Sequence, residues 1–173
     1  MNLYELSEIA DKRFSHGEEI PQNIIEGVKQ IVSNGGFIGM AQINPIAGNI
    51  EYNAKKIAKY IKYSCKIGLD MVVFPELALM GYPIEDTIDR HPIIVEENIK
   101  WLKGLAKITV GTTALVGFVE PRKQDAEGKK YFNSVAILKN GKIAGIVRKS
   151  LLPNYSEFND YRYIEPSPVV GVQ

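Results

Sequence analysis

The sequence predicts an α/β protein in which helices pack on a mostly buried sheet. From Phe37 onward, short apolar runs suited to buried strands alternate with amphipathic stretches suited to helices. An Asn140-Gly141 pair between two apolar runs is a strong hairpin signal. The 173 residues suffice for one domain with an appended arm, and an apolar fraction of 45% is enough for a hydrophobic core.

The elements follow in order from periodicity and from turn residues. Apolar residues spaced by three and four predict a helix that Asn49 caps and Gly68 ends. His91-Pro92 opens a second amphipathic stretch. The predicted strands are 37–43, 70–74, 113–119, 132–138 and 143–148, and the predicted helices are 50–67 and 93–108.

Residues 1–36 form a different kind of segment. Two short amphipathic stretches, 6–14 and 20–32, predict helices, and Gly35-Gly36 predicts a stop. The arm carries no recognisable chemistry. We therefore expect an N-terminal helical extension at 1–36 that packs on a main domain at 37–173.

Composition excludes several function classes. The net charge of +1 argues against a nucleic-acid binder, which normally has a basic excess. We find no apolar run long enough to span a membrane and no signal peptide, so we expect a cytoplasmic protein without a membrane partner. The sequence contains one cysteine, Cys65, and two histidines. We therefore expect neither an internal disulfide framework nor a metal site.

Two charged residues stand immediately beyond predicted strands. Glu76 follows a buried strand, where α/β sheets place their ligands, and a partly desolvated carboxylate there can act as a general base. Lys149 ends the second hairpin strand and can stabilise a developing oxyanion. Taken singly, Glu76 is equally well explained as a helix cap, and Lys149 better as a surface lysine. If both serve one site, they lie together at one end of the sheet.

Several motifs in order resemble the nitrilase superfamily of carbon–nitrogen hydrolases, and more closely the glutamine amidase domain of glutamine-dependent NAD synthetase. The resemblance covers residues 37–173. The motifs are Gly39-Met40-Ala41-Gln42-Ile43-Asn44-Pro45, Phe74-Pro75-Glu76-Leu77, Gly81-Tyr82-Pro83 with Glu85-Asp86, Tyr131-Phe132-Asn133-Ser134, and Lys149 with Leu152-Pro153-Asn154-Tyr155.

The resemblance implies a nitrilase-like α-β-β-α sandwich and a Glu–Lys–Cys amidase that hydrolyses glutamine. By that resemblance Glu76 is the general base and Lys149 stabilises the tetrahedral intermediate. The implied glutamine-pocket residues are Tyr82, Tyr155 and Phe158. In the family the released ammonia passes to a synthetase domain that uses ATP and an NAD precursor, so no cofactor is expected in this chain.

The departures from the family pattern are specific. The family's nucleophilic cysteine follows the lysine, whereas no cysteine follows Lys149 here. Cys65 precedes Glu76 and falls on the apolar stripe of a predicted helix, so we expect it to be buried and inert. Asp160 stands where the family favours a glutamate, which makes a supporting contact to Lys149 one methylene shorter. The phosphate-binding loop of the synthetase half is absent from the sequence.

We therefore expect roughly the first half of an amidase domain, truncated or split, inactive alone and completed by a complementary fragment or a homo-oligomer. Two alternatives stay open. One is a non-catalytic interaction or regulatory module built on the same half-fold, with residues 1–36 as its specific part. The other is an amidohydrolase of the superfamily that acts on a different small amide.

Overall fold

A computed structural model describes residues 22, 23, 25, 26, 29, 36–84, 88, 91–123, 127–155 and 158–168. The predicted helix at 6–14 and the motif residues Glu85 and Asp86 lie outside the described residues. The described positions between 22 and 29 are helical, as predicted for 20–32, and Ile25 is buried. The division into an extension and a main domain stays a prediction.

A five-stranded mixed sheet forms the centre, in the order β1-β2-β3-β4-β5. Strands β1 to β3 pair parallel, and β3 to β5 pair antiparallel. The hairpin between β4 and β5 turns at Asn140 and Gly141, which both have positive φ, as Asn-Gly predicts. The strands are β1 Ile38–Met40, β2 Met71–Val73, β3 Thr113–Pro121, β4 Tyr131–Lys139 and β5 Lys142–Arg148.

Two long helices connect the parallel strands, and both match the predicted bounds. Helix α1 spans Ile50–Ile67, and helix α2 spans Ile93–Ile108. Asn49 caps α1 by accepting a hydrogen bond from the backbone of Tyr52 at 3.2 Å, and Gly68 ends the helix in a left-handed conformation. The α/β class and the long elements are thus confirmed.

The two faces of the sheet differ. Neighbouring residues of a strand point to opposite faces. The face that belongs to the core shared with the helices is fully buried, at Val72, Ala114, Val116, Phe118, Ala136 and Leu138. The other face, which we call the open face, carries apolar residues that remain partly exposed, at Val73, Leu115, Val135, Ile137 and Val147. It ends on edge strand β1, where Ile38 is 64% and Met40 is 84% exposed.

A short C-terminal region follows the sheet. Strands β6 (Asn154–Tyr155) and β7 (Phe158–Asn159) form a two-stranded antiparallel sheet, and helix α3 spans Asp160–Tyr163. Within the described ranges, no helix is both long and apolar enough to cross a membrane. In that same part of the chain, no three or more His, Cys, Asp or Glu residues cluster as a metal site would require.

Candidate active site

Glu76 stands in a tight turn just beyond β2. The turn closes through a hydrogen bond from the Ala78 N–H to the Pro75 carbonyl, and Leu77 adopts a positive φ of 48° while fully buried. The backbone of this turn packs directly on β3 at Gly117, and the close approach is possible because glycine has no Cβ. The Glu76 side chain leaves the turn with half of its surface exposed.

Lys149 follows β5 directly, and its backbone is held from both sides. Its N–H donates to the Asn133 carbonyl at 2.8 Å, and its carbonyl accepts from the Ser167 N–H at 3.0 Å. The Lys149 Nζ lies 2.6 Å from Glu76 Oε1, although 73 residues separate the two in sequence. The expectation that this pair meets at one end of the sheet is confirmed.

Asp160 supports the lysine from the first turn of α3. Its Oδ2 lies 3.2 Å from Lys149 Nζ, and its Oδ1 accepts a hydrogen bond from the Tyr82 hydroxyl at 3.1 Å. Asp160 is 3% exposed, so its carboxylate is almost completely shielded from solvent. The shorter aspartate therefore still reaches the lysine.

The acidic neighbours of Lys149 govern its proton affinity. Burial by itself would lower the pKa of the ammonium group. The hydrogen bond and charge of Glu76, followed by those of Asp160, outweigh burial and raise the pKa of Lys149 above its ordinary 10.5. The lysine therefore remains a cation at neutral pH.

Asn133 is a site residue for which sequence reasoning assigned no role. From β4 its Nδ2 donates to Glu76 Oε1 at 2.6 Å, across 57 residues of sequence. A signal was present, because Asn133 is a polar residue inside the largely apolar run of β4. With Asn133 included, we define the Glu76–Lys149 cluster as Glu76, Tyr82, Asn133, Lys149 and Asp160.

The other two predicted pocket residues, Tyr155 and Phe158, belong to the small C-terminal sheet. Tyr155 lies on β6 and is 67% exposed. The backbone of Phe158 belongs to β7, while its side chain lies outside the described part of the chain. The role of both as pocket residues stays a prediction.

The expectation that Cys65 is buried is wrong. The structure places it on the exposed side of α1, where its thiol donates to the Val110 carbonyl at 3.0 Å. Val110 precedes β3, so this contact lies at the amino end of the parallel strands, whereas Glu76 follows the carboxyl end of β2. Cys65 and the Glu76–Lys149 cluster therefore belong to opposite ends of the sheet.

A second ion pair holds the end of β5 from the other face. The Arg148 Nε donates to Glu120 Oε2 at 2.7 Å, and the Ser134 hydroxyl donates to the same oxygen at 2.7 Å. The Arg148 guanidinium also lies over the Phe132 ring, 4.6 Å from its centre. Because neighbouring residues of a strand point to opposite faces, anchoring Arg148 on one face directs Lys149 to the other.

The cluster brings together groups with complementary chemistry. A half-exposed carboxylate can accept a proton, and an adjacent ammonium group can stabilise negative charge that develops on a substrate oxygen. A base and a cation in contact suit acyl transfer from an amide once a nucleophile is placed beside them.

Comparisons with known proteins place the chain in a family. The family model described as Carbon-nitrogen hydrolase matches residues 37–170. The glutamine-dependent NAD(+) synthetase of Thermotoga maritima is 40% identical over 131 residues, which cover 75% of this chain and 22% of that relative. The enzyme of the same name from Acinetobacter baylyi is 36% identical over 131 residues, which cover 75% of this chain and 23% of that relative. The chain thus spans less than a quarter of the length of these relatives.

Solved structures share the fold. The glutamine-dependent NAD+ synthetase from Acinetobacter baumannii, solved with adenosine diphosphate, superposes with a TM-score of 0.67 at 29% sequence identity. The matched region covers 75% of this chain and 24% of the synthetase chain. An amidase from Nesterenkonia sp. superposes with a TM-score of 0.60, and the match covers 76% of this chain and 48% of the amidase chain. At 16% sequence identity this match shows a similar fold and nothing more. Since the family match extends over residues 37–170 and includes every residue of the Glu76–Lys149 cluster, the chain belongs to the carbon–nitrogen hydrolase family.

Proposed function

We propose that residues 37–168 form the base-and-lysine part of a glutamine amidase site that supplies ammonia for NAD synthesis. The observation that carries the proposal is the contact of 2.6 Å between Glu76 and Lys149. The names of the relatives from Thermotoga maritima and Acinetobacter baylyi supply the substrate class.

The proposed reaction assigns each residue a step. Glu76 takes the proton of a cysteine thiol, and the resulting thiolate attacks the side-chain amide of glutamine. Lys149 donates a hydrogen bond to the oxygen that becomes negative in the tetrahedral intermediate. Ammonia leaves, and water hydrolyses the thioester.

The nucleophile is the group that the cluster lacks. Cys65 is the single cysteine in the 173 residues, and its contact lies at the other end of the sheet. We therefore propose that the thiol reaches the cluster from a segment outside these residues. ATP and the NAD precursor would then act in a synthetase unit and not at this cluster.

Complementation of the chain tests this function. Ammonia release from glutamine is measured for the purified chain alone and after addition of a polypeptide from the part of the Thermotoga maritima glutamine-dependent NAD(+) synthetase that this chain does not match. We expect no thiol-dependent turnover from the chain alone and measurable turnover after addition. That turnover should disappear in Glu76→Gln and in Lys149→Met.

Cys65→Ser is the matched control, because Cys65 is the chain's own thiol and we expect it to take no part. Turnover by the chain alone that Cys65→Ser abolishes would refute the proposal. So would turnover in the complemented sample that survives Glu76→Gln.

A further inference from the structure

Asn133 connects the two charged residues of the cluster. Its side chain donates to Glu76 at 2.6 Å, and its backbone carbonyl accepts from the N–H of Lys149 at 2.8 Å. The residue is only 4% exposed. Because an amide is costly to bury unless it is hydrogen-bonded, the bond to Glu76 is needed in this position.

The two donors of the cluster select one oxygen of the Glu76 carboxylate. Asn133 Nδ2 and Lys149 Nζ both donate to Oε1, each at 2.6 Å. Among the described residues, no hydrogen bond to Oε2 is found. A carboxylate whose first oxygen is occupied by two donors keeps the lone pairs of its second oxygen for an incoming proton.

We propose that Asn133 is a positioning residue that orients the Glu76 carboxylate, so that Oε2 is the oxygen that takes the proton of the nucleophile. The inference rests on the proposed function and makes one of its steps specific. In that step the thiol S–H bond breaks, an O–H bond forms at Oε2, and the electron pair stays on sulfur. No other reactant is consumed.

A second buried asparagine shows what a purely structural role looks like. Asn98 on α2 is fully buried, and its Nδ2 donates to the Val119 carbonyl at 2.8 Å. It is absent from the hydrogen bonds of the Glu76–Lys149 cluster. Asn98 therefore provides a matched control that loses a comparable buried hydrogen bond.

The first measurement follows Lys149 in the full chain by NMR, as the pH is raised. In Asn133→Leu, which keeps the branched shape without a donor, Glu76 loses one of its two donors and is held less firmly against Lys149, which stays as buried as before. We expect the pKa of Lys149 to fall by about half a unit or more in Asn133→Leu and in the smaller Asn133→Ala, and to stay unchanged in Asn98→Leu. An unchanged Lys149 titration in a folded Asn133 variant would overturn the inference.

The same contact can be observed with Asn133 intact, which keeps the test valid if its variants fold poorly. In Glu76→Met no side-chain oxygen is left to accept this bond, so the side-chain amide protons of Asn133 should exchange with water several-fold faster than in the unaltered chain. Equal exchange rates would contradict the proposed bond.

The second measurement uses the complemented sample. Asn133→Leu should lower kcat at least about tenfold with little change in KM, because the base is misoriented and substrate binding is retained. Asn133→Gln, which keeps a donor, should recover part of the loss. If complementation gives no turnover while the Lys149 titration still shifts, the proposed function fails and the positioning by Asn133 stands. If turnover occurs and Asn133→Leu matches the unaltered chain, the inference fails alone.

Discussion

A methyl group at Gly117 would collide with the backbone nitrogen of Leu77, the residue after Glu76. It would also lie 2.8 Å from the Pro75 carbonyl oxygen. Both neighbours are backbone atoms, so neither can move aside by changing a rotamer. The β3 backbone at Gly117 thus fixes how closely the Glu76 turn packs on the sheet.

Gly117→Ala should move the Glu76 turn away from β3 and lengthen the contact between Glu76 and Lys149. We expect a loss of about 1–3 kcal/mol in the free energy of unfolding, because an added methyl group in a packed contact forces backbone shifts. Urea unfolding measures the loss, and the Lys149 titration reports the broken contact.

Gly104→Ala is the matched control, since Gly104 lies in α2 with open space where a Cβ would stand. We expect that variant to gain about 0.5–1 kcal/mol from higher helix propensity. A Gly117→Ala chain as stable as the unaltered one would contradict the proposed close packing.

Stability should depend on pH through Lys149. Its folded pKa is raised above the ordinary 10.5, so the folded chain holds this proton more tightly than the unfolded chain does. The resulting stabilisation is fully present below about pH 10.5 and is lost as pH rises through the folded pKa. We expect the free-energy difference between the unaltered chain and Lys149→Met to stay constant below about pH 10.5 and to shrink as the pH rises from there to about 12.

Urea unfolding at a series of pH values provides the measurement. Lys103→Met, which removes a positive charge from an exposed position of α2, controls for the change in net charge. The prediction fails if the Lys149→Met difference stays constant over that range, or if Lys103→Met shows the same trend.

The Cys65 thiol should react with thiol reagents in the folded chain, and its modification should not affect the Glu76–Lys149 cluster. Cys65 is exposed, and its hydrogen bond to the Val110 carbonyl lies at the end of the sheet opposite the cluster. We expect a disulfide reagent to titrate one thiol under native conditions. Cys65→Ser should alter the free energy of unfolding by less than about 0.5 kcal/mol, as is usual at an exposed site. A thiol that reacts only after denaturation would show that the placement is incorrect.

The Glu120–Arg148 pair should couple strongly in a double-mutant cycle. The Glu120 side chain is 12% exposed and that of Arg148 is 25% exposed, so removal of one partner leaves the other poorly solvated. We expect a coupling energy of about 1–3 kcal/mol from Glu120→Gln, Arg148→Met and the double variant. A coupling energy near zero would contradict the role of this pair in fixing the end of β5.

The sequence predicted the long elements well because their periodicity is local. It was wrong about Cys65 for a geometric reason. After Ile61 the buried stripe of α1 continues by a step of three to Ser64, whereas a step of four leads to Cys65. Because cysteine is less polar than serine, Cys65 was expected to be the buried residue. The angular position on the helix instead places Ser64 on the buried side and Cys65 on the exposed side.

The cluster was predicted in part, and the missing part depends on distant contacts. Glu76 and Lys149 each follow a strand end, which a sequence can reveal. The hydrogen bond from Asn133 to Glu76 joins residues 57 apart, and the path of the turn that brings Glu76 to it depends on packing against Gly117. Such a bond cannot be read from periodicity or from neighbouring residues.

The mixed topology of the sheet has a consequence for the order of folding. Strands β3 to β5 are consecutive antiparallel neighbours, so their pairing needs only short loop closures. Strand β2 joins β3 in parallel only after the chain has passed through α2, which is a slower, longer-range step. We therefore expect refolding to order Asn133 and Lys149 first and to bring Glu76 to them late, so that formation of the base–lysine contact marks the end of the folding reaction.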